Sequence, residues 1–437
     1  MIKFINKIKS IKNPFILFSP FLLFYITYIL ISPTQGTKGD EGRYLEFANN
    51  LIHGFYSTPP PDINLWNGPG YPVLLMPFVA LHLPLICMSL MNGVLYYLSV
   101  ILLFKTLRQF VSLNKAVVFS LFWACYYISF EEMNYILPEV FTSFLISLLL
   151  FNLVRSFDSG NKSKRNAIYS GLIMGFIVLT KVIFGYVILC MFIGIGIGWV
   201  VNRRLFNYKR GILIMLISLG TILPYLVYTW HLTDKIYYLS NSGGMSLYWM
   251  SSPDENEVGD WYHARVVRQT DTLNSGIDVD TKLIPGWNNY LYSKHSKDIQ
   301  EINKYTGVER DNAYKKIAIN NIKRYPLKYL KNCISNCERL FFGFPYSYRV
   351  QRYNLRMPLN MFVVVSMFFS MVVTIINWRK IFFPLRFLLF FIFLYLSLSL
   401  LVSTYIRMFT VIQPALLFWI AFIFQKSIKL NLFFDKE

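Results

Sequence analysis

The chain has 437 residues, of which 55% are hydrophobic, 18% aromatic and only 15% charged, with a mean hydropathy of +0.42. Soluble domains carry about a quarter charged residues, so a typical soluble enzyme, a disordered tail protein and a coiled coil are excluded. The net charge of +20 does not single out nucleic acid as a partner, because much of it sits in short clusters between apolar blocks.

The basic residues 1–13 lead into an apolar stretch over residues 14–32. It is too long for a signal-peptide core and no small-residue cleavage site follows, so a retained first span is expected. Further apolar blocks lie at about 84–104, 116–130, 137–154, 167–181, 182–201, 212–230, 358–377, 382–402 and 406–424. The pattern predicts an all-α polytopic membrane protein with about ten transmembrane helices, each near the ~20 residues a bilayer needs. Lys105 and Arg108, Arg155 to Arg165, Arg203 to Arg210, Arg379 and Lys380, and Lys426 and Lys429 follow alternate spans, and the loops between are nearly empty of Lys and Arg. This positive-inside pattern predicts that both termini are cytoplasmic.

Two segments on the outer side are not explained by spanning, residues 33–83 and 232–357. The second is mixed polar and aromatic, with turn signals at Gly243-Gly244, Pro253, Gly259, Pro285-Gly286 and Gly307. It is large enough for a small, mostly helical domain. Tyr314, Ile317, Ala318, Asn321 and Ile322 share a helical face, and Pro326 interrupts the run, so two helices are expected there. The expected organisation is thus 1–32 N-terminus and first span, 33–83 first outer loop, 84–231 spans two to seven, 232–357 extracytoplasmic domain, and 358–437 the last three spans and C-terminus. Of the five cysteines, Cys87, Cys125 and Cys190 lie in apolar blocks, while Cys333 and Cys337 are spaced as helix neighbours. They read as packing residues, not a disulfide framework.

The first outer loop is the most informative stretch. After Gly39-Asp40-Glu41-Gly42-Arg43, the residues Tyr44, Phe47, Ala48, Leu51, Ile52 and Phe55 recur at helical spacing. The spacing predicts an amphipathic helix along the membrane surface, with Asp40 as its N-cap and Glu41 in its first turn. Two readings of the acid pair stand. Capping and the helix dipole account for both acids, with Arg43 as an ion partner. Alternatively, a carboxylate at the mouth of the bundle takes a proton from an acceptor hydroxyl, and a neighbouring cation stabilises a leaving phosphate.

Asp40-Glu41-x-Arg43-Tyr44 after the first span, an amphipathic helix and then a Pro-Gly loop together resemble the integral-membrane glycosyltransferases of the GT-C superfamily. The closest branch holds lipid A aminoarabinose transferase, protein O-mannosyltransferases and lipopolysaccharide glycosyltransferases of the Rgt type. Trp66-Asn67-Gly68-Pro69-Gly70-Tyr71-Pro72 is similar to the family's Pro-Pro-Gly-Tyr-Pro element. Pro138-Glu139 resembles its acid at the outer start of span four. Gly171 to Gly175 and Leu179-Thr180-Lys181 resemble a Gly-x-x-x-Gly…Leu-Thr-Arg pattern, and Tyr405-Ile406-Arg407 with Gln413-Pro414 resembles the family's Arg-Tyr…Leu-Pro ending. Gly243 to Trp249 and Gly259-Asp260-Trp261 resemble aromatic motifs of the outer domain. Two positions depart from the pattern. Asn67 stands where the aminoarabinose branch has Lys, and Lys181 replaces an Arg whose bidentate fork Lys cannot make.

The resemblance implies a sugar donor linked to polyprenyl phosphate and an acceptor that is a glycan, lipid or protein. It implies inverting displacement, with Asp40 as base and Glu41 assisting by orienting the acceptor or holding a divalent cation. Arg43, Lys181 and Arg407 would then neutralise the donor phosphate, and Glu139, Tyr44 and Tyr71 would shape the acceptor site. The expected location is a bacterial inner membrane with the site on the extracytoplasmic face. A lipid-linked oligosaccharide ligase, polymerase or flippase is the alternative.

Boundary charges support the same side. Glu131, Glu132, Glu139, Lys181 and Arg407 all fall at outer ends of apolar blocks, where charge in or near a membrane marks functional candidates. The five histidines are scattered without metal-ligand spacing, and no phosphate-loop or dinucleotide fingerprint is present. No cofactor is therefore indicated beyond the divalent cation left open by Glu41, and no nucleic-acid partner is expected.

Overall fold

The computed structural model describes residues 13–33, 36–37, 39–158, 160, 162–201, 206–262, 286–348 and 356–427. Among them there are helices and no strands. The bundle is formed by α1 (Ser19–Ile31), α2 (Asp40–Ile52), α3 (Gly70–Ala80), α4 (Leu85–Leu107), α5 (Leu113–Ala124), α6 (Glu139–Ser156), α7 (Ser163–Thr180), α8 (Ile183–Val201) and α9 (Phe206–Thr233). Within residues 232–357 come α10 (Gly243–Met250), α11 (Trp287–Ile302), α12 (Gly307–Arg324) and α13 (Pro326–Phe342). The chain returns through α14 (Arg356–Ile376), α15 (Phe383–Leu400), the short α16 (Ile406–Thr410) and α17 (Gln413–Ser427).

Six described helices, α4, α6, α8, α9, α14 and α15, are long and apolar enough to cross a membrane. A seventh is added if α5 and the segment Tyr127–Asn134, bent by 43°, count as one span. The chain is a multi-pass membrane protein, but ten full spans are not seen among the described residues. Helices do occupy the other expected places. α1 has only 13 residues and α17 only 15, while α7 opens on charged Lys164 and Arg165.

One apolar helix was not expected. α3 lies inside the stretch read as a loop, with Pro72 in its first turn and Pro77 within it. Its approach requires glycine. A Cβ at Gly70 would meet Thr180 Oγ1 at 2.6 Å, and one at Gly68 would collide with the Leu179 carbonyl. The Trp66–Gly70 loop therefore packs directly on the end of α7, beside Lys181.

The expected pair of helices around Pro326 is present as α12 and α13. With α10 and α11 they enclose a second core of Tyr248, Trp249, Trp287, Leu291 and Tyr314. Asp311 ties the unit together, accepting from the Gly244 N–H at 2.6 Å and pairing with Lys315 at 2.6 Å. Arg339 is fully buried and reaches the carbonyls of Gly259 at 3.0 Å, Pro345 at 2.9 Å and Thr404 at 3.1 Å. Asn336 accepts from the Thr404 N–H at 3.0 Å. These contacts fix the connection between α15 and α16, and thereby the placement of Arg407.

Candidate functional site

Five charged side chains from four helices meet at one end of the bundle, with Asp40 and Arg43 both on α2. Asp40 begins α2, Glu139 begins α6, Lys181 ends α7, and Arg407 sits in α16. Arg407 Nη2 donates to Asp40 Oδ2 at 2.9 Å, and Arg43 Nη1 lies 3.2 Å from Asp40 Oδ1. Lys181 Nζ donates to Glu139 Oε1 at 2.9 Å, and Arg407 Nε lies 3.6 Å from the same oxygen. The result is a chain of alternating sign, Arg43–Asp40–Arg407–Glu139–Lys181. Glu132 adds a further negative charge facing Arg407.

Asp40 is not the N-cap of its helix. The cap is Gly39, in the left-handed region at φ 55°, and Asp40 is the first helical residue. Its carboxylate is thereby released from capping and turns to the two arginines. It remains 33% exposed, whereas Glu139 is 3% exposed and its Oε2 has no hydrogen-bond partner. Such a buried carboxylate needs its cations, since removing one partner of a buried pair costs about 3–5 kcal/mol. Burial by itself pushes the Asp40 carboxyl pKa up, but Arg407 and Arg43, with Lys181 behind, outweigh it and hold it below the ordinary value.

Glu41 lies in the first turn of α2, as expected. It is buried, and its Oε1 accepts from the Ile136 N–H at 2.7 Å. One helical step from Asp40 turns it inward, where it binds α2 to the segment before α6. In this place it anchors the start of α2. Among the described residues, no three His, Cys, Asp or Glu side chains group as metal ligands.

The apolar stripe of α2 is also differently used. Tyr44, Phe47 and Ala48 are buried within the protein, with the Phe47 ring stacked on Tyr56 at 4.6 Å. Only Ile52 and Phe55 at the far end are exposed. The helix is therefore a structural wall, and the expectation that this face lies on the membrane is not met. Tyr44 and Tyr71 meet edge to face behind Asp40, with ring centroids 5.2 Å apart.

Sequence reasoning missed the setting of Arg43. Its Nη1 donates to Asn67 Oδ1 at 3.2 Å, and its guanidinium lies 4.8 Å from the Trp66 ring centroid. Asn67 Nδ2 in turn donates to the Tyr44 hydroxyl at 2.9 Å, and the Tyr56 hydroxyl donates to the Asn67 carbonyl at 2.7 Å. The loop that lacks the branch's lysine thus holds an arginine from α2 in a fixed orientation. The only available signal was the departure at Asn67 itself. A cavity of about 440 Å³ lies elsewhere, between α8, α14, α15 and α17, lined among others by Trp378, Arg386 and Phe390. It contains none of these site residues.

No family model matches the sequence, and no curated protein does. Among solved structures, the chain is similar to ArnT from Cupriavidus metallidurans bound to undecaprenyl phosphate. That similarity has 11% identity, covers 94% of this chain and 77% of that one, and gives a TM-score of 0.41. It is also similar to the archaeal oligosaccharyltransferase AglB from Archaeoglobus fulgidus, in complex with an inhibitory peptide and a dolichol-phosphate. There the identity is 12%, the coverage 93% of this chain and 50% of that one, and the TM-score 0.47.

Proposed function

We propose that the protein is a membrane glycosyltransferase that moves one sugar from a polyprenyl-phosphate-linked donor to a hydroxyl of a glycan, lipid or protein. The observation that carries this reading is the alternating ion chain. It sets an ionised, partly exposed carboxylate beside cations, and both are needed when a phosphate leaves as a nucleophile is deprotonated. The anomeric C–O bond to phosphate breaks as the bond to the acceptor oxygen forms on the opposite face, inverting the centre. The acceptor proton passes to Asp40, and the phosphate departs as an anion held by Arg407, Arg43 and Lys181.

Arg407 and Arg43 are engaged by Asp40, which lowers its basicity. A donor phosphate competes for the same guanidinium groups. Its arrival draws them from Asp40 and makes the carboxylate a better base at the moment the acceptor needs one. Glu139 holds Lys181 and Arg407 in place, and Asn67 with Trp66 holds Arg43. In this reading the basic loops and both termini are cytoplasmic, the site lies on the extracytoplasmic face of a bacterial inner membrane, and the 232–357 region selects the acceptor.

The test is Asp40→Asn in purified membranes, with a panel of polyprenyl-phosphate sugars scored for release of polyprenyl phosphate. General-base catalysis typically contributes about 10²–10⁴-fold, and turnover is expected to fall by that order. Transfer at the native rate would remove Asp40 as the base.

A further inference from the structure

α13 carries an apolar stripe that nothing in the described chain covers. Leu327, Leu330 and Ile334 recur at helical spacing and are 74%, 57% and 64% exposed. The opposite face is fully engaged. Lys328, Asn332, Asn336 and Arg339 are buried, with Lys328 Nζ donating to the Glu257 carbonyl at 2.6 Å and Asn332 Nδ2 to the Met250 carbonyl at 3.0 Å. The stripe is therefore the free side of a rigidly held helix.

Its depth follows from what the helix touches. The Tyr329 hydroxyl donates to the Leu401 carbonyl at 2.8 Å. Asn336 Nδ2 reaches the carbonyls of Leu400 at 3.1 Å and Val402 at 2.6 Å. Two residues about 10 Å apart along α13 thus meet the same end of α15, a candidate membrane span. The helix crosses over that end instead of rising away from it. The end of a span marks where hydrocarbon gives way to headgroups.

One border of the stripe carries exposed Lys331 and, further along the helix, exposed Glu338. Lys331 is 69% exposed, its nearest acid being Glu255 at 3.9 Å, itself 75% exposed. Exposed Lys323 and Arg324 close the preceding helix, and exposed Tyr325 follows them. Tyr is favoured at headgroup level, and Lys and Arg at lipid phosphates.

We propose that α13 is a membrane-surface anchor. Leu327, Leu330 and Ile334 enter the acyl–headgroup border of the leaflet at the site end, and Lys323, Arg324 and Lys331 meet the phosphates of its lipids. The partner is the bilayer itself, so the inference stands independently of the reaction. Because α13 also fixes the 399–404 connection, the anchor sets the height of Arg407 relative to the lipid headgroups.

The test uses the full chain, made free of its own cysteines, with one cysteine at position 330 or 334 carrying a bimane label. The protein is placed in nanodiscs of phospholipids brominated near the headgroup. Labels at 330 and 334 are expected to lose most of their fluorescence, and one at the exposed position 304 to keep it. Labels at 330 and 334 that stay as bright as at 304 overturn the proposal. So does a disulfide-linked dimer through position 330 without quenching, which would give the stripe to a second copy. Should the cysteine-free chain fail to fold, a benzophenone amino acid at position 330 of the otherwise natural chain replaces it. Lipid adducts by mass spectrometry support the anchor, and their absence after illumination overturns it.

Discussion

Residues 33–83 and 232–357 each contain a strongly amphipathic helix, α2 and α13, and the two use their apolar faces in opposite ways. In α2 the stripe of Tyr44, Phe47 and Ala48 is buried against the rest of the loop and α3, while in α13 Leu327, Leu330 and Ile334 stand uncovered. Sequence periodicity shows that a face must be covered, but not by what. The difference comes from what lies beside each helix. α2 is followed by an apolar helix and aromatic residues that close over it. α13 packs through polar side chains that bind backbone carbonyls, leaving its apolar side turned away. The helix that looked made for the membrane surface carries the site, and the helix that supports the site faces outward.

The sharpest way to break this comparison is in α2 itself. Asp40→Asn is expected to lower turnover by about 10²–10⁴-fold while the helix persists, since Gly39 occupies the cap position. Its neighbour should behave oppositely. Glu41→Ala leaves the buried Ile136 N–H without its acceptor and should lower stability by about 1–3 kcal/mol. The surviving folded protein should retain most of its turnover. Activity per folded molecule and thermal unfolding separate the two, and a Glu41→Ala protein that folds normally but has lost Asp40-like activity would reverse their roles.

The apolar faces separate just as directly. Phe47 is fully buried, and Phe47→Ala should cost about 3–5 kcal/mol, as large-to-small core changes do. Leu330→Ala in detergent should stay within about 0.5 kcal/mol, as for exposed positions. Equal losses at the two positions would mean that the α13 stripe is covered after all. An effect between these two is expected at the loop contact with α7. Gly70→Ala forces a Cβ towards Thr180, and such overpacking costs about 1–3 kcal/mol.

Much of the fold was legible because long apolar runs dominate this chain. Helices fall in all ten blocks, yet composition could not tell a full span from the short α1 or the bend after Ala124. α3 escaped because two prolines and flanking glycines read as turn chemistry, although Pro72 lies in the first turn and Pro77 is tolerated. At the site, the motif order picked out Asp40, Glu139, Lys181 and Arg407. Their pairing was not legible, since Asp40 and Arg407 are 367 positions apart. Periodicity placed Tyr44 correctly on the apolar side of α2 but could not show that Glu41 turns inward with it. Asn67 read as the loss of a cation, when its amide orients one supplied by Arg43.

The last test concerns the acid side of the pH response, where the expected effect is smallest near neutrality. The native Asp40 carboxyl is held below 3.8, its ordinary value, because Arg407 and Arg43 outweigh the cost of burial. A lowered native pKa means that the fold favours the ionised form. Its contribution to stability is complete above 3.8 and is lost as the pH falls through the lower native value. Asp40→Asn should therefore flatten the lowest part of the acid-unfolding curve and leave the curve between neutrality and the ordinary carboxylate range unchanged. Catalysis adds a second, separable signal. The acid limb of kcat/KM reports the free enzyme, and that of kcat reports the donor-bound enzyme. If the donor phosphate draws the arginines from Asp40, the kcat limb lies at higher pH than the kcat/KM limb. Coincident limbs would mean that Arg407 never leaves Asp40, and the phosphate would then have to be held by Lys181 and Arg43 alone.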